Sequence, residues 1–162
     1  MVEIYTDGAS LGNPGKGAFA VLIILNNLEI ILSKGFRKTT NNRVELFAII
    51  EALNFAKNNN LKDVIIYTDS QLITKAINES WLSKWIKNGW KTANKTPVIN
   101  KDLWQKLNYF LNFVNAKFEW IEGHKGNKYN EIVDKLAKNK AKTDAIEIDY
   151  EYEKLNEMNQ NG

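Results

Sequence analysis

The chain contains no cysteine. Disulfides and thiolate metal sites are therefore excluded, and a reducing, intracellular setting is the expectation. Histidine is nearly absent too. His124 is the only one, so imidazole acid–base chemistry falls to that residue. No apolar run approaches the length needed to cross a bilayer. The N-terminus leads straight into strand-like sequence, without the basic region and apolar stretch of a signal peptide. A cytoplasmic protein with no membrane association is expected. Charge of one sign is missing in a local stretch. Residues 80–101 hold Lys84, Lys87, Lys91, Lys95 and Lys101 and no acid at all. The end of the chain is the reverse. From Asp144 onward six acids stand against one lysine. Because the whole chain carries +3, the first 143 residues carry +8. A basic body suggests a polyanionic partner, with solubility as the competing explanation.

The 162 residues suffice for one domain with a real core, and the balance of 44% hydrophobic to 25% charged residues is ordinary. Taken in order, residues 2–7, 18–25 and 28–36 read as three strands with short connections, an antiparallel meander. Thr39 to Asn42 offers helix caps. Leu46, Ile49, Ile50, Leu53 and Ala56 then fall at helical spacing. Residues 64–68 form a buried-looking strand and 72–77 a short helix. A helix over 102–114, a strand over 116–121, a glycine-flanked loop and a helix over 129–141 follow. This order predicts an α/β architecture: a mixed five-stranded sheet flanked by helices. Residues 1–142 are expected to form one folded domain. Residues 143–162 are expected to be an acidic, flexible tail with little to bury.

The stretch Ile4 to Gly15 organises the rest. Its first half alternates like a strand. Its second half is turn chemistry, with Gly8, Gly12, Asn13, Pro14 and Gly15. Asp7 sits where apolar strand gives way to glycine-rich backbone. Alone it reads better as a turn cap. The same pattern recurs later, Tyr5-Thr6-Asp7-Gly8 matching Tyr67-Thr68-Asp69-Ser70. If the two strands are adjacent and parallel, both acids end at one sheet edge, where α/β folds favour ligand sites. Glu45 lies near the start of the first long helix. Asp134 shares a helix face with Asn130. Read singly, these two are ordinary solvated helix acids. Read together, converging carboxylates repel and need a cation, and hard oxygen-binding ions such as Mg²⁺ suit them.

Five motifs in order carry a specific resemblance. They are Thr6-Asp7-Gly8-Ala9-Ser10-Leu11-Gly12-Asn13-Pro14-Gly15, Thr39-Thr40-Asn41-Asn42-Arg43-Val44-Glu45-Leu46, Thr68-Asp69-Ser70-Gln71, Gly89-Trp90-Lys91-Thr92, and Gly123-His124-Lys125-Gly126 with Asn130-Glu131 and Asp134 behind. From Tyr5 to about Lys142 the chain resembles ribonuclease H type 1 of the bacterial, single-domain kind. That resemblance implies the ribonuclease H-like fold, with strands one, four and five parallel. It implies a metal-dependent endonuclease that cuts the RNA strand of an RNA–DNA hybrid, leaving a 5′-phosphate and a 3′-hydroxyl. The family's four acids map onto Asp7, Glu45, Asp69 and Asp134. Asp7 would bridge two Mg²⁺ ions, with Mn²⁺ as an alternative, one ion activating water and the other stabilising the departing oxygen. His124 would be a proton shuttle or an aid to product release.

The resemblance also implies how the duplex is held. Asn13, Asn41 and Asn42 match positions that read 2′-hydroxyls, since amides both donate and accept. Gln71 is a weaker candidate for the same task. Thr40 and Asn100 match a pocket for a DNA phosphate. Lys38 stands where some relatives carry Arg, and so lacks the bidentate fork. Trp81 and Trp85 are four apart on a helix face. They read either as core or, amid Lys87, Lys91 and the other lysines, as a hybrid-binding protrusion. Trp90 would pin its base, and Trp104 and Trp120 read as core. A monomer is expected, with the hybrid duplex as partner and no separate hybrid-binding domain before Asp7. Two other readings stand beside this one: a hybrid-binding module without catalysis, and another nuclease or strand-transfer enzyme of the same fold.

Overall fold

The computed structural model describes residues 1–161. Its five-stranded sheet has the order β3-β2-β1-β4-β5. Strands β1 (Val2–Ser10), β2 (Gly15–Leu25) and β3 (Leu28–Thr39) form the antiparallel meander. Asn26 and Asn27 turn the second hairpin with φ of 51° and 67°. Positive φ at both centres matches the right-handed twist of the flanking strands. Strands β4 (Asp63–Thr68) and β5 (Asn115–Trp120) add on in parallel to β1.

Both faces of the sheet are covered. Helix α1 (Asn41–Asn58) packs on β1 and β2 from one side, with α4 (Lys101–Leu111) against it. Helix α5 (Lys128–Thr143) packs on the same strands from the other. Every residue from Ala18 to Ile23 is therefore buried, which explains an unbroken apolar run where alternation would mark a half-solvated strand. Ile4, Val21, Leu46, Ile49, Leu53 and Ile66 belong to the larger core; Tyr5, Leu22, Val133 and Ala137 belong to the smaller one under α5.

Two short helices, α2 (Gln71–Asn78) and α3 (Trp81–Lys87), lead into the lysine-rich segment. Trp81 and Trp85 are half-buried against the main core, and Trp85 meets the buried Trp104 edge-on at 5.2 Å. They therefore serve packing as well as presenting surface.

The tail differs from its expected solvated state. The sequence reading leaves residues 143–162 flexible for want of anything to bury. Yet Ala145 and Asp149 are buried, and Glu147 exchanges backbone hydrogen bonds with Gly35 and Arg37 at 2.9 and 2.8 Å. A sixth helix, α6 (Tyr150–Asn161), follows, and its Glu153 pairs with Arg37 at 2.9 Å. The anchor is polar, not apolar. Asp149 meets the guanidinium of Arg43, a buried pair that composition alone does not reveal.

A candidate carboxylate metal site

The repeated Tyr-Thr-Asp sets the site. Parallel register pairs Tyr5 with Tyr67, and the two rings stack at 4.6 Å. Thr6 donates its hydroxyl to the Tyr67 carbonyl at 3.3 Å. Two residues past each tyrosine stand Asp7 and Asp69. Asp7 lies inside β1, three residues before its end at Ser10, and so does not end the strand as its sequence suggests. Asp69 is the first residue past β4, and the two carboxylates meet. Glu45 arrives from above. Gly8 makes that approach feasible: a Cβ there would sit 2.8 Å from the Glu45 backbone nitrogen. The start of α1 thus rests directly on β1 at Gly8. Thr40 caps the helix, accepting from the Arg43 N–H at 3.2 Å.

Oxygen atoms of Asp7, Glu45 and Asp69 all lie within 4.8 Å of one another. Asp7 and Glu45 are 3% and 6% exposed. The Gly8 N–H donates to Asp7 Oδ1 at 2.8 Å, and Glu45 Oε2 is buried with no hydrogen-bond partner among the described residues. A buried carboxylate oxygen without a donor costs free energy unless a cation meets it. The electrostatics agree. Burial, and then the charge of Asp69, push the Asp7 carboxyl up to about 8. Burial, then Asp7 and Asp69, hold Glu45 well above the usual carboxylate range. Burial, then Asp134, raise Asp69, while His124 opposes that rise. Three acids that resist joint ionisation fit a hard divalent cation.

Asp134 lines the same cleft of about 500 Å³ but stands outside the three-acid cluster, paired with Lys138 at 3.0 Å. His124 also lines it, exposed, at a loop position with φ of 60°. The chain passes close beside Asp69 at Gly123, where a Cβ would fall 3.0 Å from Asp69 Oδ2. Asn41, Asn42 and Gln71 line the cleft rim. Asn13 sits just behind, its Oδ1 accepting from the Asn41 N–H at 3.0 Å. Thr40 and Asn100 converge elsewhere, on Arg43. Lys38, Trp81, Trp85, Lys87 and Lys91 do not line the cleft.

Two residues go unnoticed or misread in the sequence. Trp120 is not core: it is 43% exposed, and its Nε1 donates to the Asp69 carbonyl at 3.1 Å. It ends β5 beside Thr68, so its indole fixes the backbone that carries an acid of the site. Arg43 is fully buried at the start of α1. The signal was present, since a charge inside an apolar helix stripe demands buried acids. Which acids answer it depends on the fold.

The arrangement defines an α/β protein with an acidic cluster suited to a metal ion, built from two adjacent parallel strands and the helix packed over them. The RNase H family model matches residues 1–142. A ribonuclease H of Nitratidesulfovibrio vulgaris (strain Miyazaki F) is 44% identical over 151 residues, 93% of this chain and 96% of the relative. A ribonuclease H of Escherichia coli O139:H28 (strain E24377A / ETEC) is 44% identical over 147 residues, 91% of this chain and 93% of the relative. Among solved structures, LC9-RNase H1, described as a type 1 RNase H with the type 2 active-site motif, superposes with a TM-score of 0.75 at 28% identity, covering 86% of this chain and 71% of that one. LC11-RNase H1, solved in complex with an RNA/DNA hybrid, does so with a TM-score of 0.64 at 25% identity, covering 86% and 95%. The chain belongs to the RNase H family.

Proposed function

We propose that this chain is an endonuclease that hydrolyses the RNA strand of RNA–DNA hybrids, leaving 5′-phosphate and 3′-hydroxyl ends. The observation that carries this reading is the three-acid cluster of Asp7 in β1, Glu45 in α1 and Asp69 just past β4, in a chain of the RNase H family. Mg²⁺ is the proposed ion, with Asp7 central and Asp134 completing the set when substrate brings its own phosphate oxygens. Divalent ions bound there supply activation of the attacking water and neutralisation of charge on the departing 3′-oxygen. The chain's own groups do the rest. The Gly8 N–H holds Asp7 in orientation, the Trp120 indole holds the Asp69 backbone, and Asn41, Asn42 and Gln71 are placed to meet 2′-hydroxyls at the cleft rim. Asn13 supports that rim through Asn41. Residues 1–142 are the catalytic domain in this reading. A cytoplasmic monomer is the proposed working state, in keeping with a cysteine-free chain.

The decisive experiment is cleavage of an end-labelled RNA–DNA hybrid with Mg²⁺, with and without EDTA, beside double-stranded DNA and double-stranded RNA. Cutting of the hybrid alone, abolished by EDTA, is expected. Cutting of DNA would favour a strand-transfer or resolvase activity instead.

His124 is exposed at the cleft, free to carry away a proton from the attacking water or to assist product departure. His124→Ala is expected to lower kcat about ten- to a hundredfold without abolishing cleavage. Unchanged turnover in a steady-state assay removes the histidine from the mechanism.

Lys38, Lys87, Lys91 and Lys95 are exposed, and Trp81 and Trp85 offer apolar surface in the same lysine-rich segment. We assign these lysines to backbone phosphates and the two tryptophans to DNA sugars. Replacing Lys87, Lys91 and Lys95 together by Gln is expected to raise KM and to reduce the slope of log affinity against log salt by about three. A slope equal to that of the parent chain places the duplex on another surface.

A further inference from the structure

A buried arginine joins the C-terminal segment to the pocket assigned to the DNA strand. Arg43 is 1% exposed, although it lies in the first turn of α1. Its Nε and Nη2 donate to Asp149 at 2.7 and 2.9 Å. Its Nη1 and Nη2 donate to Asp102 at 2.9 and 2.8 Å. Asp149 is itself 2% exposed, and the Thr39 hydroxyl donates to it at 2.8 Å. The two carboxylates thus pin the planar fork from both sides.

The same arginine also reaches both residues of the proposed phosphate pocket. Its Nη1 donates to Asn100 Oδ1 at 3.2 Å, and its backbone N–H donates to Thr40 Oγ1 at 3.2 Å. This occupies an acceptor site on each. A threonine hydroxyl whose oxygen already accepts keeps its O–H to give. An amide whose carbonyl oxygen is engaged presents its NH₂. A phosphate diester offers acceptors only. The helix cap therefore leaves Thr40 as a donor, and the Arg43 guanidinium makes Asn100 its matching donor. The Asn100 side chain does not cap α4, so capping does not set its orientation. Without Arg43 the amide is free to rotate and aim its carbonyl oxygen at the phosphate.

We propose that Arg43 is a positioning residue for the phosphate pocket and that Asp149, from the C-terminal segment, holds it in place, so that docking of this segment raises affinity for the hybrid. This rests on the reading of Thr40 and Asn100 as phosphate contacts.

The test is equilibrium binding of a labelled RNA–DNA hybrid to the full chain in EDTA, below the melting temperature of each variant, with KM and kcat measured in Mg²⁺. Asn100→Ala is expected to weaken binding about fivefold, the loss of one hydrogen bond to a charged group being at least that large. Asp149→Asn is expected to weaken it similarly, with the change in KM and not in kcat. The sign is informative. Removing an acid takes the net charge from +3 to +4, which by itself favours a polyanion. In the double variant the losses do not add, because Asp149 acts through Asn100. Glu153→Gln, which frees the exposed pair with Arg37, leaves binding within twofold of the parent chain. If Asp149→Asn does not fold, Asp102→Asn, which frees the more exposed side of the fork, carries the same expectations. Normal binding by the folded carboxylate variant, full additivity with Asn100→Ala, or an equal loss in Glu153→Gln overturns the proposal while leaving the pocket intact. Normal binding by Asn100→Ala overturns the pocket itself, and the proposal with it.

Discussion

An Asp7→Asn chain is expected to bind the hybrid at least as tightly as the parent chain and to cleave it more slowly by a factor of about a thousand or more. Asparagine keeps the shape of Asp7 and can still accept from the Gly8 N–H, which donates to Oδ1 at 2.8 Å. What it loses is charge at the centre of the three-acid cluster. An amide oxygen is a weaker partner for a hard cation than a carboxylate. Binding should survive because the groups assigned to the duplex lie outside the cluster. Removing a negative charge from the cleft also lessens repulsion of the RNA phosphate. The measurements are gel analysis of a labelled hybrid in Mg²⁺ and equilibrium binding in EDTA. Cleavage near the parent rate would take Asp7 out of the chemistry. Loss of binding along with cleavage would mean that the cluster organises the duplex surface instead. Glu45→Gln and Asp69→Asn should behave like Asp7→Asn. Asp134→Asn should cost less, because Asp134 stands outside the cluster and already has Lys138 as partner at 3.0 Å.

The sequence carries some of this site locally and some only through the fold. The Tyr-Thr-Asp repeat is visible in the chain, and strand register converts it directly into adjacency of Asp7 and Asp69. Glu45 has no such local mark. Its place depends on Gly8, where any side chain would strike the first turn of α1. Strand lengths are read short. The three N-terminal strands run on to Ser10, back to Gly15 and on to Thr39, because pairing with neighbours overrides the turn-like composition of their ends. Trp120 is misread as core because an aromatic at the end of an apolar strand usually is. Here its indole serves a backbone carbonyl at the site. The C-terminal segment is misread for a related reason. Composition counts its acids as solvated, whereas one of them, Asp149, answers a buried Arg43 more than a hundred residues earlier, with |i−j| of 106. Long-range charge pairing leaves no periodicity to read.

The chain freed of divalent ions should lose stability as pH rises from about 4 to about 8, and Mg²⁺ should restore it. Burial, followed by the charge of Asp69, lifts Asp7 from 3.8 to about 8 in the fold, and Glu45 and Asp69 move in the same direction. An acid whose folded value is raised holds its proton longer when folded than when unfolded. Its stabilising contribution is complete below the unfolded value and is gone once pH has passed the folded one. Other acids act in the opposite sense at lower pH. The hydrogen bond from Arg37 lowers Glu153, and Arg43 lowers Asp102 against the effect of burial. Their contributions are present above the unfolded carboxylate values and fade as pH falls through the depressed ones. Between pH 5 and 9 the crowded cluster therefore sets the slope. Thermal melts in EDTA at pH 5, 7 and 9 should show a falling Tm. At pH 8, Mg²⁺ at ten to a hundred times its Kd should return about 1.4 to 2.7 kcal/mol. That corresponds to roughly 3 to 10 °C for a domain of this size. Asp7→Asn should flatten the pH slope and raise Tm at pH 8 without metal, because it removes one of three charges that the fold holds together. A Tm independent of pH over this range, or one that Mg²⁺ leaves unmoved at pH 8, would mean that the three carboxylates are not held as a cation site. The cluster trades stability without metal for readiness to bind it, so stability and cleavage should respond to Asp7→Asn with opposite signs.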